Sequence, residues 1–271
     1  MGIIYGYTEL IKDTEKLQKH FCIGQYGLSA QDRKLVLIKT GNGSRRLLAV
    51  GGIHGREAVS SLFLMKSLRA INPDSPVFKD VTLYVAPMAN PDGVEIFWGR
   101  EKPNNRDCHF VPELYKNNSN NVNLNANFPY IHACVPQNRQ GGSFACSEPE
   151  TRSLIKLCIH KNFNSMISLH ARGNCIFWRD RGNGAVKGDL TLTDALCKNC
   201  GFTAVAPTES PSDYSGGFEN WFRYRFKRPA LCIELVRDED VSYRDMCRCF
   251  EDSVIWRKTK NLLKTFTSIK I

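Results

Sequence analysis

The feature that most constrains this chain is a histidine followed three residues later by a glutamate, at the end of an apolar segment. Residues 46–53 have the composition of a buried strand that begins with a basic residue, and His54 and Glu57 follow directly. Residues 58–65 then repeat apolar side chains at helical spacing. Residues i and i+3 share one face of a helical turn, so both side chains can point the same way. They would supply two of the three protein ligands of a His₂Glu zinc site, although this motif alone is common by chance.

A third ligand has to come from another of the six histidines. His170 is the candidate with suitable surroundings, because it ends the apolar segment 166–169 and opens into a loop. The crevices of an open α/β sheet lie beyond the carboxyl ends of its strands, so His170 can meet His54 and Glu57 there. Taken alone, His170 is equally well interpreted as a core histidine that is hydrogen-bonded to its neighbours.

Apolar periodicity and chain breakers predict an alternation of helices and strands. The predicted helices are 8–21, 58–71, 148–162, 190–200, 217–224 and 257–270. The predicted strands are 34–40, 46–53, 81–87, 165–170, 174–178 and 230–236. Residues 90–93 predict a turn, residues 99–121 predict a long polar loop, and Ser147 is expected to cap the helix that follows it.

Six short segments, spread over residues 45–236, carry a resemblance to a known family. They are 51–57 (GGIHGRE), 90–93 (NPDG), 123–129 (NLNANFP), 147–151 (SEPET), 168–170 (SLH) and 232–235 (CIEL). Their order resembles that in zinc metallocarboxypeptidases of the carboxypeptidase A superfamily, and most of all the bacterial branch of γ-D-glutamyl–diaminopimelate peptidases. The resemblance implies an α/β fold in a single domain over residues 1–271, with a mixed parallel and antiparallel twisted sheet of about eight strands flanked by helices.

The resemblance also implies a role for each residue that matches a family motif. His54, Glu57 and His170 would hold one zinc ion per chain, and Glu234 would be the general base for a water molecule. The last assignment makes chemical sense on its own, because a strand rarely buries an unpaired glutamate without a function. Burial also raises the pKa of a carboxyl group toward values that suit proton transfer. The implied activity is that of a metallopeptidase that hydrolyses a peptide or amide bond.

Further residues are candidates for contact with the substrate or the transition state. Lys116 lies at the spacing where the related branch often has a residue that stabilises the oxyanion; Arg106 is the alternative for that role. A solvated loop lysine is also compatible with the surroundings of Lys116. The predicted substrate-binding residues are Arg56, Asn125, Arg106, Arg172 and Tyr214, of which Tyr214 is equally well interpreted as a packed side chain.

Two departures from the family pattern bear on the substrate and the metal. Ala126 stands where many members have an arginine that pairs with the terminal carboxylate of the substrate. Its loss favours a murein-type peptide with a γ-D-glutamyl–diamino acid bond. Asn123 stands where an aspartate usually supports a zinc-bound histidine, so we expect a weaker partner for that imidazole. The alternatives are an ordinary metallocarboxypeptidase on L-peptides, and a weakly active or inactive peptidase-fold protein that binds peptides.

Composition narrows the choice of partner and compartment. The net charge is +10, from 37 basic and 27 acidic residues, which raises nucleic-acid binding as a rival function. The sequence has no recognition-helix, RNA-binding or zinc-finger pattern, so we favour attraction of an anionic peptide substrate and expect no nucleic acid. No apolar run is long enough to span a membrane, and no oligomeric state is indicated. The 11 cysteines are irregularly spaced and the N-terminus lacks a signal-peptide pattern, so we predict a cytoplasmic protein.

Overall fold

The computed structural model describes residues 4–104, 110–179, 184–206, 215–236, 241–248, 250 and 254–270. The strands are β1 (Cys22–Leu28), β2 (Lys34–Thr40), β3 (Arg45–Val50), β4 (Val81–Ala86), β5 (Ser165–His170), β6 (Cys175–Phe177), β7 (Thr203–Val205) and β8 (Ala230–Glu234). The helices are α1 (Tyr7–Leu17), α2 (Ala58–Arg69), α3 (Val77–Asp80), α4 (Pro91–Phe97), α5 (Pro149–Lys161), α6 (Asp189–Cys200), α7 (Phe218–Phe226), α8 (Tyr243–Arg248), α9 (Val254–Thr259) and α10 (Leu262–Ser268).

The eight strands form one mixed sheet in the order β1-β2-β4-β3-β5-β8-β6-β7. The four central strands β4, β3, β5 and β8 run parallel, whereas β1, β2 and β6 pair antiparallel with their inner neighbours. The carboxyl ends of the parallel strands therefore meet along one edge of the sheet. In this register His170 at the end of β5 lies directly beside Glu234 at the end of β8.

The core lies on both faces of this sheet. Successive residues of β3 point to opposite faces, so Leu47 and Ala49 pack in one cluster and Leu48 and Val50 in the other. Helices α1, α2, α6 and α10 contribute buried side chains to the first cluster, and α5 and α7 to the second. The sheet is thus enclosed between helices, which confirms the predicted α/β fold with an eight-stranded mixed sheet.

Some local predictions are wrong, and each has a physical reason. Asn90 does not begin an isolated turn: its Oδ1 accepts the N–H of Gly93 at 2.9 Å and caps α4, whose first residue is a proline. Ser147 does not occupy the N-cap of α5, because Glu148 does and the Ser147 hydroxyl donates to the Glu148 carboxylate. The predicted closing helix 257–270 is two helices, α9 and α10.

Among the described residues, no helix combines the length and the apolar character needed to cross a membrane. The edge strands β1 and β7 were absent from the sequence-based prediction, and β1 has no regular alternation of buried and exposed residues. Pairing with β2 stabilises β1, and pairing with β6 stabilises β7. Neither edge strand contributes a residue to the site described next.

Candidate metal centre

Two histidines and a glutamate converge at the carboxyl ends of β3 and β5. His54 follows β3, Glu57 closes the short 3₁₀ helix Gly55–Glu57, and His170 is the last residue of β5. His54 Nδ1 lies 2.8 Å from Glu57 Oε1, His170 Nδ1 lies 3.0 Å from Glu57 Oε2, and the two Nδ1 atoms are 3.2 Å apart. All three side chains are buried. The sequence-predicted ligands therefore form one cluster.

The separation of these atoms allows the fit of a metal ion to be tested. A tetrahedral zinc ion with bonds of about 2.0–2.2 Å holds its ligand atoms roughly 3.3–3.6 Å apart. The nitrogen and oxygen atoms of His54, Glu57 and His170 lie 2.8–3.2 Å apart, so shifts of a few tenths of an ångström would admit the ion. Two imidazoles and one carboxylate are also the donor types that zinc accepts, and they leave a fourth position for water or substrate.

The outward-facing nitrogens of both imidazoles have acceptors of their own. His54 Nε2–H donates to Asn123 Oδ1 at 3.2 Å, the contact that the sequence predicted. His170 Nε2 lies 2.8 Å from Ser168 Oγ and 3.3 Å from Glu219 Oε1. These hydrogen bonds fix the proton on Nε2 and leave Nδ1 of each ring free to bind a metal.

Close backbone packing aligns the end of β3 with the loop that carries Lys116. A Cβ atom on Gly55 would lie 2.3 Å from the carbonyl oxygen of Gly93, so only glycine fits there. The Gly55 N–H donates to the carbonyl of Lys116 at 2.9 Å.

The buried Asn90 Nδ2 donates to the carbonyls of Ile53 and Asn117, at 3.1 and 3.0 Å. Asn90 thus joins the residue before His54 to the residue after Lys116, a role that the sequence did not reveal.

The pKa directions of the first two ligands favour their metal-binding forms. Burial lowers the pKa of His54 to about 4, against the opposing effect of Glu57. Burial alone would raise the pKa of Glu57, but His54 and His170 outweigh it and hold that pKa well below its usual range. A neutral imidazole and an ionised carboxylate are the states that bind zinc. For His170, burial lowers the pKa, but Glu219 and Glu57 outweigh burial and hold that pKa well above its usual value, so zinc competes with a proton there.

Glu234 is a half-buried residue beside the ligand cluster, and its carboxylate atom Oε2 is fully buried. Burial, followed by the charge of Glu57, raises its pKa to about 8. Its Oε2 has no hydrogen-bond partner among the residues that the structure describes. A carboxyl group with a pKa near neutrality suits general acid–base catalysis, because it can both take up and release a proton. A cation bound by His54, Glu57 and His170 would lower this pKa.

Lys116 projects its charge into the same region. Burial lowers its pKa and the charge of Glu57 raises it, while Arg56 and Arg139 lower it further. The charge of Glu234 also raises the pKa of Lys116. A half-buried ammonium group among charged neighbours differs from the solvated loop lysine that was the alternative, and it is positioned to act on a developing anion.

The structure places two predicted substrate-binding arginines on one aromatic ring. The guanidinium carbons of Arg56 and Arg172 lie 4.7 and 4.6 Å from the centre of the Tyr243 ring. Arg56 Nε is buried and has no hydrogen-bond partner among the described residues. Tyr243, at the start of α8, was not identified from the sequence. Because the ring contacts both guanidinium groups, it holds two cations next to the metal ligands.

The other candidate residues differ in what the structure allows them to do. Asn125 Oδ1 accepts the Phe218 N–H at 2.7 Å, so its carbonyl group is already used in fixing the start of α7. Ala126 is fully buried, so its side chain does not face an open cleft. Arg106 and Tyr214 lie outside the described residues.

Sequence spacing could have revealed one of the missed residues. Ser168 lies two residues before His170 on β5, and residues i and i+2 of a strand share a face. Glu219 and Tyr243 have no such local signal, because they reach the site from α7 and α8 by tertiary packing.

The parallel-strand edge and the His₂Glu cluster together define a class of proteins, the single-zinc hydrolases that keep one coordination position open. The chain belongs to the zinc carboxypeptidase family, whose family model matches residues 7–242. Zinc is its cofactor, and His54, Glu57 and His170 are the residues grouped to hold it.

Relatives of known sequence and structure agree with this membership. Gamma-D-glutamyl-L-diamino acid endopeptidase 1 of Lysinibacillus sphaericus is 26% identical to this chain over an alignment that is 270 residues long. The alignment covers 85% of this chain and 65% of the relative. The chain thus spans just under two thirds of the length of that relative.

Solved structures show the same fold. Bovine thrombin-activatable fibrinolysis inhibitor, solved in complex with tick carboxypeptidase inhibitor, has a TM-score of 0.70 and 17% identity over 97% of this chain and 96% of its own. Murein-tripeptide amidase MpaA from Escherichia coli O157 has a TM-score of 0.64 and 20% identity, over 92% of each chain.

Proposed function

We propose that this zinc peptidase cleaves a murein-type peptide at a γ-D-glutamyl–diamino acid bond. The observation that carries the proposal is the pair of guanidinium groups, Arg56 and Arg172, held on Tyr243 beside the metal ligands. A γ-glutamyl link leaves the α-carboxylate of the glutamate free close to the bond that is cleaved. An α-linked L-peptide has no carboxylate at that point, so two cations there favour the γ-linked substrate.

Two further observations support this choice of substrate. Ala126 stands in place of the arginine that pairs with a terminal carboxylate in many family members, and it is buried. The net charge of +10 attracts anionic peptides over a distance of about one Debye length, roughly 8 Å at physiological salt. The names of two relatives, a gamma-D-glutamyl-L-diamino acid endopeptidase and a murein-tripeptide amidase, point to the same class of peptide.

The proposed roles follow from the geometry of the site. His54, Glu57 and His170 would hold the zinc ion, and the ion would supply the Lewis acidity that activates a water molecule and polarises the substrate carbonyl. Glu234 takes the proton from the attacking water and delivers it to the leaving amine. Lys116 balances the negative charge that develops on the carbonyl oxygen, with a single ammonium group rather than a guanidinium fork.

The first experiment tests the catalytic assignment with Glu234→Gln. The change is nearly isosteric, so the protein should keep its fold and its zinc while kcat falls by roughly 10²–10⁴. Zinc content, measured on the same samples, separates loss of the base from loss of the metal. An unaltered turnover number with a full complement of zinc would place the general base elsewhere.

The second experiment tests the substrate with a matched pair of peptides. A γ-D-glutamyl–diaminopimelate tripeptide is compared with its γ-D-isoglutaminyl counterpart, in which the α-carboxylate is an amide. A charge-assisted hydrogen bond contributes about 1.5–3 kcal/mol, so kcat/KM should favour the free carboxylate by roughly 10- to 150-fold. Arg172→Gln should remove much of this preference. Arg225→Gln, which changes an exposed arginine over the Phe226 ring, is the control and should retain it.

An ordinary L-peptide with a free C-terminal residue completes the comparison. If the parent protein cleaves it with a higher kcat/KM than either murein peptide, the proposed substrate is wrong and the protein is an ordinary metallocarboxypeptidase. The zinc-peptidase assignment would be unaffected by that result.

We also propose that the protein works in the cytoplasm. The cysteines within the described residues are free thiols, and this state is favoured by a reducing compartment. Cell fractionation followed by immunodetection tests this location, and recovery of the protein outside the cytoplasmic fraction would contradict it.

A further inference from the structure

The two zinc-binding imidazoles are supported by acceptors of different charge. Behind His54 lies the neutral amide of Asn123, whose Oδ1 is 3.2 Å from His54 Nε2. Behind His170 lies the carboxylate of Glu219, whose Oε1 is 3.3 Å from His170 Nε2. The site therefore has one charged supporting acceptor for its two histidine ligands, and that acceptor comes from α7.

The contacts of Glu219 indicate that its side chain is directed at the histidine. Glu219 is 5% exposed, and a buried carboxylate needs a cation or several donors to offset its desolvation. Its carboxylate faces the imidazole of His170 and the hydroxyl of Ser168, and that hydroxyl lies 2.8 Å from the same ring nitrogen. The Cys232 thiol lies close to both the His170 imidazole and the Glu219 carboxylate, with the three ligand atoms within 4.8 Å of one another. A carboxylate, a hydroxyl and an imidazole thus form one connected hydrogen-bonded unit.

We propose that Glu219 is the positioning residue that orients His170 toward zinc and strengthens it as a ligand. A carboxylate behind a metal-bound histidine fixes the ring orientation and increases the basicity of the nitrogen that binds the metal. Asn123 supplies the orientation for His54 but no charge. This assignment rests on His170 being a zinc ligand, and it is independent of which peptide the enzyme cleaves.

The central experiment measures zinc affinity by competition with a chelator. The competition is measured once without substrate and once while the enzyme turns over its substrate. Glu219→Gln keeps the shape and the hydrogen-bonding oxygen but removes the charge, and it should weaken zinc binding by roughly 10- to 100-fold. Glu95→Gln is the matched control, because Glu95 is also a buried carboxylate, 6% exposed, but it bonds to the Tyr7 N–H away from the metal ligands. The zinc affinity of this control should equal that of the parent.

A sharper test moves the supporting carboxylate from His170 to His54. Asn123→Asp places a carboxylate behind His54 and should tighten zinc binding. In the double variant Asn123→Asp/Glu219→Gln, the charge has moved from one histidine to the other, so zinc affinity should return toward that of the parent. A merely structural role for Glu219 predicts no such rescue, because no hydrogen bond joins Asn123 to Glu219.

Two results with the Glu219 variants would overturn the proposal. The first is an unchanged zinc affinity in Glu219→Gln together with a raised KM, which would make Glu219 a substrate-binding group. The second is a double variant that binds zinc as weakly as Glu219→Gln alone. If Glu219→Gln does not fold, Ser168→Ala removes the hydroxyl that connects carboxylate and imidazole. It should weaken zinc binding roughly tenfold, and an unchanged affinity would likewise overturn the proposal. Failure to cleave murein peptides would leave all of these affinities unaltered.

Discussion

At the scale of single residues, Lys116 is the proposed oxyanion-stabilising cation, and its charge also acts on Glu234, the proposed general base. Its positive charge lowers the pKa of Glu234, whereas burial and Glu57 raise it. Replacing Lys116 by methionine removes the charge but keeps most of the side-chain volume. We expect kcat to fall by roughly 10²–10³, the usual loss when one group that stabilises an oxyanion is removed.

The same variant has a predicted signature in the pH dependence. Glu234 must be ionised to take a proton, so kcat/KM falls as the pH drops through the pKa of Glu234. Without Lys116 that pKa rises, and the acidic limb of the pH profile should move to higher pH in Lys116→Met. Lys102→Met, at an exposed position, serves as the control with an unmoved limb. An acidic limb that stays in place, or moves to lower pH, would show that Lys116 does not act on the group that titrates.

The residues of the site differ in how far the sequence could predict them. His54 and Glu57 are three positions apart, so local geometry brings them together. His170 was predictable because a parallel strand delivers its last residue to the same edge of the sheet. Glu219 and Tyr243 could not be predicted in this way, because their positions depend on how α7 and α8 pack against the sheet.

At the scale of elements, the first turn of α5 contains a buried acid that makes stability depend on pH. Glu150 Oε1 accepts the Ala30 N–H at 3.0 Å, and Oε2 accepts from Asn118 Nδ2 at 3.2 Å. Burial raises the pKa of Glu150 to about 7, against these hydrogen bonds. In its neutral form, the carboxyl group therefore connects α5 to the loop between β1 and β2, through Ala30, and to the loop that contains Asn118.

The sign of the effect follows from proton binding. Between about pH 4.5 and about pH 7, the folded chain holds a proton on Glu150 that the unfolded chain has released. The free energy of unfolding should therefore fall as the pH rises through this window, by an amount on the order of 3 kcal/mol, and level off above it. Glu150→Gln should lose this slope, while the loss of one hydrogen bond costs about 1 kcal/mol at every pH.

Denaturant unfolding at pH 5 and pH 8 measures this difference for parent and variant. The exposed Glu15→Gln substitution is the control and should keep the slope of the parent. The prediction is wrong if Glu150→Gln and the parent lose the same amount of stability between the two pH values.

Elements that were predicted well differ physically from those that were missed. The strands β2 and β5 occur at their predicted bounds, because each is a short run with several apolar residues that lies in the sheet interior. The edge strand β1 contains Gly24 and Gly27 and is largely exposed, so its conformation depends on pairing with β2 rather than on its own pattern. Asn90-Pro91 was interpreted as a turn because the same residue types start turns and cap helices.

At the scale of the whole molecule, a buried arginine on α7 joins three parts of the fold. Arg223 is 1% exposed, and its guanidinium group donates to the carboxylate of Asp189 at the start of α6. It also donates to the carbonyl of Trp178, after β6, and to that of Ala230, at the start of β8. Since α7 also carries Glu219, this arginine fixes the helix that supports the metal site.

Removing one partner of this pair should be costly. Arg223→Met leaves the Asp189 charge buried without its cation, and we expect the free energy of unfolding to fall by about 3–5 kcal/mol. Arg225→Met, at an exposed position on the same helix, should change it by about 0.5 kcal/mol or less. Guanidinium unfolding at neutral pH, with zinc in excess, measures both.

The charge itself can be separated from the packing by a second change. Asp189 Oδ2 also accepts the Val186 N–H at 2.7 Å, and asparagine can keep that bond while removing the charge. The double variant Arg223→Met/Asp189→Asn should therefore be more stable than Arg223→Met alone, with a coupling energy of about 1–3 kcal/mol. If the two substitutions are simply additive, the cost of Arg223→Met comes from lost packing and lost carbonyl hydrogen bonds. The buried ion pair would then not be what fixes α7 against α6.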